Sequence, residues 1–264
     1  DAVARLQAGL FQQGVGQVQH TLDSRLHQID IKIRGPLDYD DKTRAVRTVD
    51  GYVLVPKAAH VLSVVTGGRD TVGIRVPAHP MATDLLTRFG GGLAAPSANR
   101  FGKVSPTTAA HVAADLGDAV DYILDGGACP VGVESTIVDC SVTPPQLLRP
   151  GAITAEQVNA LLDGELAPAV GPSRAAGMMA SHYAPLATVV LVENAAAGIA
   201  ATFGHHDRWL LDRTDDLVLY ARHLYDDLRA ADQRGVHTVV AVMPPATGLG
   251  HAIRDRLTKA AATA

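Results

Sequence analysis

The chain lacks the residue patterns that mark secreted disulfide proteins, membrane spans and common metal sites. Its 264 residues contain only two cysteines, Cys129 and Cys140, in neither a CxxC nor a CxxH spacing, so two buried, reduced thiols are favoured over a disulfide. No apolar run approaches the roughly 20 residues that a helix needs to cross a bilayer. The eleven histidines form no HExxH or other paired ligand spacing, and His205-His206 is interpreted as a solvated turn.

A large excess of charge of either sign is missing as well. The formal net charge is −4, and 19% of the residues are charged. This balance argues against indiscriminate binding to polyanions, although a local basic groove stays open. The hydrophobic content of 47% indicates a globular chain, long enough for one large or two smaller domains. The opening residues, DAVARLQAG, carry no signal-peptide pattern, so we expect a cytoplasmic protein.

The apolar pattern predicts alternating strands and helices from residue 52 onward, whereas residues 13–50 show weak periodicity. Strands are predicted at 52–56, 71–76, 93–95, 122–124, 135–138, 188–192, 209–211 and 237–242. Helices are predicted at 1–12, 80–89, 217–231 and 249–261, with another starting at Ser105-Pro106 and one after a capping box at Thr154 and Gln157. The alternation near the C-terminal end predicts a mainly parallel sheet.

Composition divides the chain into three parts. Residues 163–186 are rich in Ala, Gly and Pro and have little periodicity, which is typical of a linker. A first domain is therefore predicted over 1–162, with an atypical stretch at 10–50, and a second α/β domain over 187–264.

Small polar residues follow a predicted buried strand at Ser97-Ala98-Asn99. In α/β proteins ligands bind at such strand ends, and a hydroxyl and an amide can both bond phosphate or carboxylate oxygens. Ser105, eight residues later, is predicted to cap a helix whose N-terminal amides favour an anion. An ordinary loop with an ordinary N-cap explains the same residues about equally well.

Two strand arginines are further candidates for a ligand site. Arg75 lies between Ile74 and Val76, and Thr71 faces the same side of the strand four residues earlier. Arg149 follows the apolar Leu147-Leu148. The Arg75 guanidinium could hold a carboxylate bidentately, or it could be a solvated charge on the outer face. Arg149 is another arginine at a strand end, and it could equally be a surface charge.

Two further segments carry polar or aromatic groups in suggestive places. Ser135-Thr136 precedes a strand and could bind part of a substrate, although threonine is also simply common in strands. His182 and Tyr183 interrupt the bland linker. They suit stacking on a bound base, or anchoring of the linker to the first domain.

Several motifs, in this order, resemble the YrdC-type threonylcarbamoyl-adenylate synthases. They are VTGGRDTVGIRVPAHP (65–80), APSANRFGKVSPTTAAHV (95–112), ILDGG (123–127), GVESTIVD (132–139) and LLRPGAIT (147–154). The segment GMMASHYAP (177–185) and the α/β pattern after it resemble the longer, two-domain branch of this family. The resemblance covers roughly residues 51–264.

The resemblance implies an α/β fold: a YrdC-like, open, twisted sheet with a concave groove, and a small Rossmann-like C-terminal domain. It implies a nucleotidyltransferase that makes threonylcarbamoyl-AMP and pyrophosphate from L-threonine, bicarbonate and ATP, with Mg²⁺ bridging the phosphates. The product would serve tRNA N6-threonylcarbamoyladenosine modification, with tRNA and a threonylcarbamoyl-transfer complex as partners.

The resemblance also assigns residues to ligands. Those expected to contact ATP are Thr71, Ser97, Asn99, Ser105, Arg149, His182 and Tyr183. Those expected to contact threonine are Arg75, Ala95 and Ser135.

The N-terminal part departs from the family pattern. The turn resembling PTETVYGLG that normally follows the first helix is not recognisable, and Lys32 and Arg34 are the only candidates for the family's KxR element. Two other functions therefore stay open. One is a non-catalytic nucleotide- or RNA-binding homologue, and the other is a carbamoyl-transfer enzyme acting on another acceptor, against which the C-terminal domain argues.

Overall fold

The computed structural model describes residues 30–32, 45–47, 52–57, 61–75, 77, 79–90, 92–160, 162, 165–180 and 182–262. The chain forms two compact units, each built from separate stretches of sequence. The first unit comprises Asp1–Pro96, Ser135–Leu148 and Ala155–Ala175, and the second unit comprises Ser97–Glu134, Arg149–Thr154 and Ala176–Ala264. The boundaries predicted from the sequence, at residues 162 and 186, stay predictions.

The strands, in chain order, are β1 (Asp30–Lys32), β2 (Ala45–Arg47), β3 (Tyr52–Pro56), β4 (Thr71–Arg75), β5 (Ile137–Asp139), β6 (Gln146–Arg149), β7 (Ala167–Pro168), β8 (Thr188–Val192), β9 (Arg208–Leu211) and β10 (Thr238–Val242). The helices are α1 (Ser63–Thr66), α2 (Pro80–Phe89), α3 (Ala109–Leu116), α4 (Ala155–Asn159), α5 (Ala195–Thr202), α6 (Leu217–Gln233) and α7 (Leu249–Ala261). None of the described helices is long and apolar enough to cross a membrane.

The first unit is organised by a five-stranded sheet in the order β4-β3-β5-β6-β7. Strand β3 pairs antiparallel with β4 and parallel with β5, and β6 pairs parallel with β7. The central strands are apolar on both faces, as expected for strands covered on both sides. Val53, Leu54, Ile137 and Val138 are at most 5% exposed and form the core.

The second unit contains a parallel sheet in the order β8-β10-β9, which confirms the parallel sheet predicted from the sequence. Helix α6 contributes to the hydrophobic core of the second unit because its apolar residues recur every three or four positions. Tyr220, Leu224 and Leu228 are fully buried along that stripe. Asp216 caps the helix, since its Oδ1 accepts hydrogen bonds from the backbone amides of Val218 and Leu219 at 2.9 and 3.0 Å.

Two predicted strands are wrong. Residues 93–95 and 122–124 have no strand pairing in the structure, and Ala94, Ala95 and 122–124 are exposed. Apolar content alone cannot make a strand, because a strand needs a ladder partner for its backbone groups.

The predicted helix start at Ser105 is also wrong. Helix α3 begins three residues later, where the Thr108 side chain accepts a hydrogen bond from the amide of His111. Helix α5 was not predicted, because AAAGIAAT is apolar on all sides and has no periodicity. Its signals are the alanine content and Asn194, which caps it.

The cysteine prediction is half right. Neither cysteine forms a disulfide, as predicted, but Cys129 is exposed and only Cys140 is buried. Burial in apolar surroundings, with a smaller contribution from Asp139, raises the pKa of the Cys140 thiol to about 12. His205 and His206 are exposed, as predicted.

Candidate functional site

A carboxylate in the second unit, Glu134, accepts hydrogen bonds from three side chains that lie on three different segments. Ser105 Oγ donates to Glu134 Oε1 at 2.7 Å. Tyr225 Oη on α6 and Arg256 Nε on α7 both donate to Glu134 Oε2, at 2.7 and 2.8 Å. We call Glu134 and these three side chains the Glu134 cluster. It joins a residue expected to contact ATP to two helices of the C-terminal domain.

The Glu134 carboxyl is ionised throughout the physiological range. Burial by itself would raise its pKa, but the guanidinium groups of Arg256 and Arg149 and the hydrogen bonds from Tyr225 and Ser105 outweigh burial and lower the pKa to about 2. Burial raises the pKa of the Tyr225 hydroxyl well above its ordinary value. The cluster therefore contains one fixed negative charge that neutral and cationic donors surround.

Tyr183 of the linker is buried beside this cluster. Its ring stacks on Tyr225 with centroids 5.5 Å apart, and the Arg256 guanidinium carbon lies 5.3 Å from its ring centroid. Tyr183 adopts a left-handed φ of 63°, a conformation that a bulky residue takes only when its surroundings require it. A methyl group on Gly177 would lie 2.3 Å from Tyr183 Oη, so glycine makes the space that this hydroxyl occupies.

His182 lies at the edge of the same assembly and is partly exposed. Its ring contacts Tyr183 at a centroid distance of 4.1 Å and the exposed Phe101 at 6.3 Å. Burial, together with the charges of Arg149, Lys259 and Arg256, outweighs Glu134 and lowers the pKa of the imidazole. A neutral imidazole with open ring surface is therefore available to a ligand.

Four polar atoms around this site are buried without a hydrogen-bond partner among the described residues. They are Asn99 Oδ1, His182 Nδ1, Tyr183 Oη and Arg256 Nη2. Unsatisfied buried groups are costly and call for an explanation, such as a ligand or an ordered water. Three of the four belong to the Glu134 cluster or to the linker residues packed beside it.

The linker is tied down on both sides of Tyr183. Lys259 Nζ on α7 donates to the carbonyl of Gly177 at 2.6 Å, and the carbonyl of Lys259 accepts from the amide of His182 at 3.3 Å. Ala184 forms a parallel bridge with Lys103. Because the main chain is held at several points, Tyr183 and His182 have fixed positions within the second unit.

Of the other residues expected to contact ATP, Arg149 is buried and donates from Nη1 to the carbonyl of Ala176 at 3.3 Å, so the surface-charge interpretation is wrong for it. Asn99 Nδ2 donates to the carbonyls of Arg100 and Lys103, which shapes the loop between Ser97 and Ser105. Ser97 is exposed. The structure thus brings Ser105, Arg149, His182 and Tyr183 together within the second unit.

The residues expected to contact threonine belong to the first unit. Arg75 ends β4 and pairs with Tyr52, which in turn pairs with Ile137, so Arg75 and Ser135 lie at the same end of the sheet. Arg75 is exposed and Ser135 is buried. Ala95 is exposed in an irregular stretch. Thr71, expected to contact ATP, begins β4 and lies about 13 Å along the strand from Arg75.

Of the two candidates for the KxR element, Lys32 and Arg34, the structure describes only Lys32. Lys32 is the last residue of β1, where it pairs with Ala45 of β2. Arg34 lies outside the described residues, as does the helix predicted over 1–12. Within the described ranges no group of three or more His, Cys, Asp or Glu side chains could hold a metal ion.

Three residues of the Glu134 cluster were missed by sequence reasoning: Glu134 itself, Tyr225 and Arg256. Glu134 lies in the motif GVESTIVD (132–139), beside Ser135, and could have been found as a charged residue in an apolar run. Tyr225 and Arg256 lie 91 and 122 residues further along the chain than Glu134. Their only sequence signal is a polar group on the apolar stripe of an amphipathic helix.

Two family models match consecutive parts of the chain. The model described as "Telomere recombination" (Sua5_yciO_yrdC) matches residues 39–151, and "Threonylcarbamoyl-AMP synthase, C-terminal domain" matches residues 153–262. The threonylcarbamoyl-AMP synthase of Pyrococcus abyssi is 35% identical over 235 residues, with 79% of this chain and 69% of that protein covered. The enzyme of the same name from Bacillus subtilis is 37% identical over 259 residues, with 87% and 75% covered.

A solved structure agrees with these matches. The crystal structure of P. abyssi Sua5 complexed with L-threonine superposes with a TM-score of 0.73 at 35% identity, covering 80% of this chain and 69% of that chain. The similarity confirms the α/β, two-domain fold predicted from the sequence. Two relatives above 30% identity, each covered over more than two thirds of its length, establish membership. The chain belongs to the threonylcarbamoyl-AMP synthase family.

Proposed function

We propose that this chain makes threonylcarbamoyl-AMP and pyrophosphate from L-threonine, bicarbonate and ATP. The observation that carries the proposal is its similarity, over four fifths of the chain, to a synthase structure that holds L-threonine. The buried, charged Glu134 cluster around an expected nucleotide contact agrees with it. The structure adds that the cluster uses residues from both matched ranges, 39–151 and 153–262.

The chemistry proceeds in two bond-forming steps. The threonine amine and bicarbonate form a carbamate with loss of water. A carbamate oxygen then bonds to the α-phosphorus of ATP, the bond between that phosphorus and the bridging oxygen breaks, and pyrophosphate leaves. Little covalent protein chemistry is needed, because positioning and neutralisation of charge carry the rate.

Magnesium fits this scheme as part of the substrate. Mg²⁺ is usually held by substrate phosphates, waters and one or two carboxylates, not by a cage made entirely of protein. The described residues contain no group of three or more His, Cys, Asp or Glu side chains that could hold a metal ion by themselves. The polar side chains that are present therefore fit an ion that arrives bound to ATP. When bound, it would neutralise charge on the phosphates.

On this proposal, different side chains bind ATP and L-threonine. The ATP set, on this proposal, comprises Thr71, Ser97, Asn99, Ser105, Arg149, His182 and Tyr183. The threonine set comprises Arg75, Ala95 and Ser135, in which Arg75 would bind the carboxylate. Lys32 and Arg34 are kept as candidates for the family's KxR element.

Pyrophosphate release tests the activity directly. The purified chain is supplied with ATP, Mg²⁺, bicarbonate and L-threonine, and each component is omitted in turn. We expect release that depends on all four. Tight ATP binding without threonine-dependent release would favour the non-catalytic nucleotide-binding homologue, and bicarbonate-dependent release without threonine would favour carbamoyl transfer to another acceptor.

The destination of the product is proposed from the family to which the chain belongs. An acyl-adenylate is an activated intermediate, and on this proposal it serves a threonylcarbamoyl-transfer complex that modifies tRNA in the cytoplasm. Incubation with unmodified tRNA and that complex should yield N6-threonylcarbamoyladenosine by mass spectrometry. If tRNA stays unmodified while pyrophosphate is released, the tRNA assignment fails and the adenylate synthesis stands.

A further inference from the structure

Helix α6 binds the loop that carries Ser105 at several points. On α6, Asp226 accepts a hydrogen bond from Thr107 Oγ1. Arg229 donates to the carbonyls of Val104 and Ser105, and it forms an ion pair with Asp115 at 2.6 Å. Asp226 and Arg229, about one turn apart on α6, therefore hold this loop from Val104 to Thr107.

The turn that carries Glu134 is held just as closely. Gly132 lies so near α6 that a methyl group there would be 2.1 Å from the carbonyl oxygen of Arg222. No side chain fits in that space, so the backbone of the turn rests directly on the helix. The positions of both Ser105 and Glu134 are thus set by α6.

Arg256 is the charged partner that completes the arrangement. Its side chain is fully buried, donates to Glu134 from Nε at 2.8 Å and to Asp255 from Nη1 at 2.6 Å. A buried guanidinium is expensive unless carboxylates neutralise it. The pairing with Glu134 is therefore a strong constraint on where that carboxylate points.

The carboxylate in turn decides which way the Ser105 hydroxyl points. An ionised carboxylate can only accept, so Ser105 must donate its single proton to Glu134 Oε1. The lone pairs of Ser105 Oγ are left for the ligand. Toward a nucleotide, this hydroxyl then accepts a hydrogen bond and does not donate one.

We propose that Arg256 is a positioning residue for the nucleotide subsite: through Glu134 it orients the Ser105 hydroxyl as a hydrogen-bond acceptor toward ATP. This inference deepens the proposed function and rests on it. It assigns to the C-terminal domain a direct part in ATP affinity, although Arg256 itself needs no contact with ATP. The ATP groups that can donate to such a hydroxyl are the ribose hydroxyls and the adenine amino group.

The test measures ATP and L-threonine affinities separately by calorimetry on the full chain. Arg256→Lys keeps the charge but loses the Nε donor, so we expect about tenfold weaker ATP binding and threonine binding within about twofold of the unaltered chain. Arg254→Lys is the matched control, because Arg254 lies on the same helix but donates to the carbonyl of Pro244. It should change neither affinity.

A double-mutant cycle separates positioning from general damage. If Arg256 acts through Ser105, Arg256→Lys should have little further effect on ATP affinity in a Ser105→Ala background. Additive losses, or equal losses for ATP and threonine, would overturn the proposal. A chain that binds no ATP before any substitution would instead contradict the proposed function.

A second variant tests the same idea and leaves the buried Arg256 unaltered, in case Arg256→Lys fails to fold. Tyr225→Phe removes the other donor to Glu134 Oε2 and keeps the ring packing. Tyr220→Phe is its control, since Tyr220 donates to the carbonyl of Val242 and lies on the same helix. We expect weaker ATP binding in the first variant alone, and an equal response in both would sink the idea.

Three analogues of ATP test whether the Ser105 hydroxyl accepts a hydrogen bond from the nucleotide. They are 2′-deoxy-ATP, 3′-deoxy-ATP and inosine triphosphate, each of which lacks one hydrogen-bond donor of ATP. One of the three should bind the unaltered chain more weakly than ATP does, and that difference should shrink in Ser105→Ala. If all three bind as ATP does, or if the difference persists without the hydroxyl, the acceptor role is wrong.

Discussion

An arginine–carboxylate pair with one almost completely buried partner occurs in each unit, and the buried partner differs. In the first unit the carboxylate of Asp139 is 1% exposed, and Arg174 Nε lies 2.6 Å away with its side chain 18% exposed. In the second unit the Arg256 side chain is fully buried, and Glu134 is 23% exposed. The two pairs therefore differ in which charge depends on its partner.

The difference matters because the buried charges have different alternative partners. Asp139 also accepts from the amide and hydroxyl of Ser141, at 2.9 and 2.5 Å, so it has donors two residues away in the chain. Arg256 has Asp255 as its neighbour but leaves Nη2 without a partner among the described residues. We infer that the first pair is locally satisfied, whereas the second depends on a residue 122 positions away.

The largest expected effect comes from removing the distant partner. Glu134→Ala leaves the Arg256 guanidinium buried and short of one counter-charge, which should cost about 3–5 kcal/mol of unfolding free energy and lower the melting temperature by roughly 10 °C. Denaturant unfolding and calorimetry measure both. Asp84→Ala is the control, because Asp84 and Arg88 form an exposed pair with side chains more than 60% exposed, and its loss should change stability little. Equal effects in the two variants would contradict the comparison.

The next effect is a dependence of stability on acid. The pKa of Glu134 is lowered from 4.5 to about 2 in the folded state, so in this window the unfolded state binds more protons than the folded state. Stability from this group is therefore complete above pH 4.5 and is lost as the pH falls toward 2, by on the order of 3 kcal/mol. Urea unfolding of the unaltered chain and of Glu134→Gln between pH 5 and 2 should show a steeper decline in the former. Parallel curves would mean that Glu134 does not titrate as described.

A smaller loss is expected in the first unit. Arg174→Ala removes one donor from Asp139 but leaves both Ser141 donors in place, so we expect a cost of about 2 kcal/mol, less than for Glu134→Ala. The same unfolding measurement compares them directly. A cost equal to that of Glu134→Ala would show that local donors do not compensate, and the distinction between the two pairs would fall.

The smallest effect on stability should accompany a clear effect on catalysis. Arg75 and Ser97 are exposed, so alanine at either position should change the unfolding free energy by less than about 0.5 kcal/mol. On the proposed function, Arg75→Ala raises the KM for threonine about tenfold or more, and Ser97→Ala raises the KM for ATP by a smaller factor. The KM rises in both variants because each loses a hydrogen bond to a charged group of its ligand. Pyrophosphate release measures both, and wild-type turnover in both variants would refute the two assignments.

Sequence reasoning predicted the regular elements best where a pattern was long. The bounds of α2 and α7 agree with their predicted ranges, and the C-terminal sheet is parallel as expected. Both helices carry extended amphipathic patterns. The failures at 93–95 and 122–124 are short apolar runs, which cannot specify a strand without the partner that supplies its hydrogen bonds.

The candidate site was predictable only in part. Motifs named Ser105, Arg149, His182 and Tyr183, which the structure brings together. They could not name Arg256 or Tyr225, because the need for these residues arises from a buried carboxylate that lies about a hundred positions away. The prediction of Ser105 as a helix cap was wrong for the same reason: a serine before a proline favours a cap locally, and Glu134 accepts its proton instead.

The Glu134 cluster limits how this gene can be divided or recombined. The two family models meet near residue 152, which suggests two modules that evolution or an engineer could exchange. A fusion at that junction would give Ser105 and Glu134 new neighbours in place of Tyr225 and Arg256, and would carry an orphaned guanidinium into the foreign partner. Successful chimaeras of this enzyme should therefore exchange the carboxylate and the arginine together, as one inherited set.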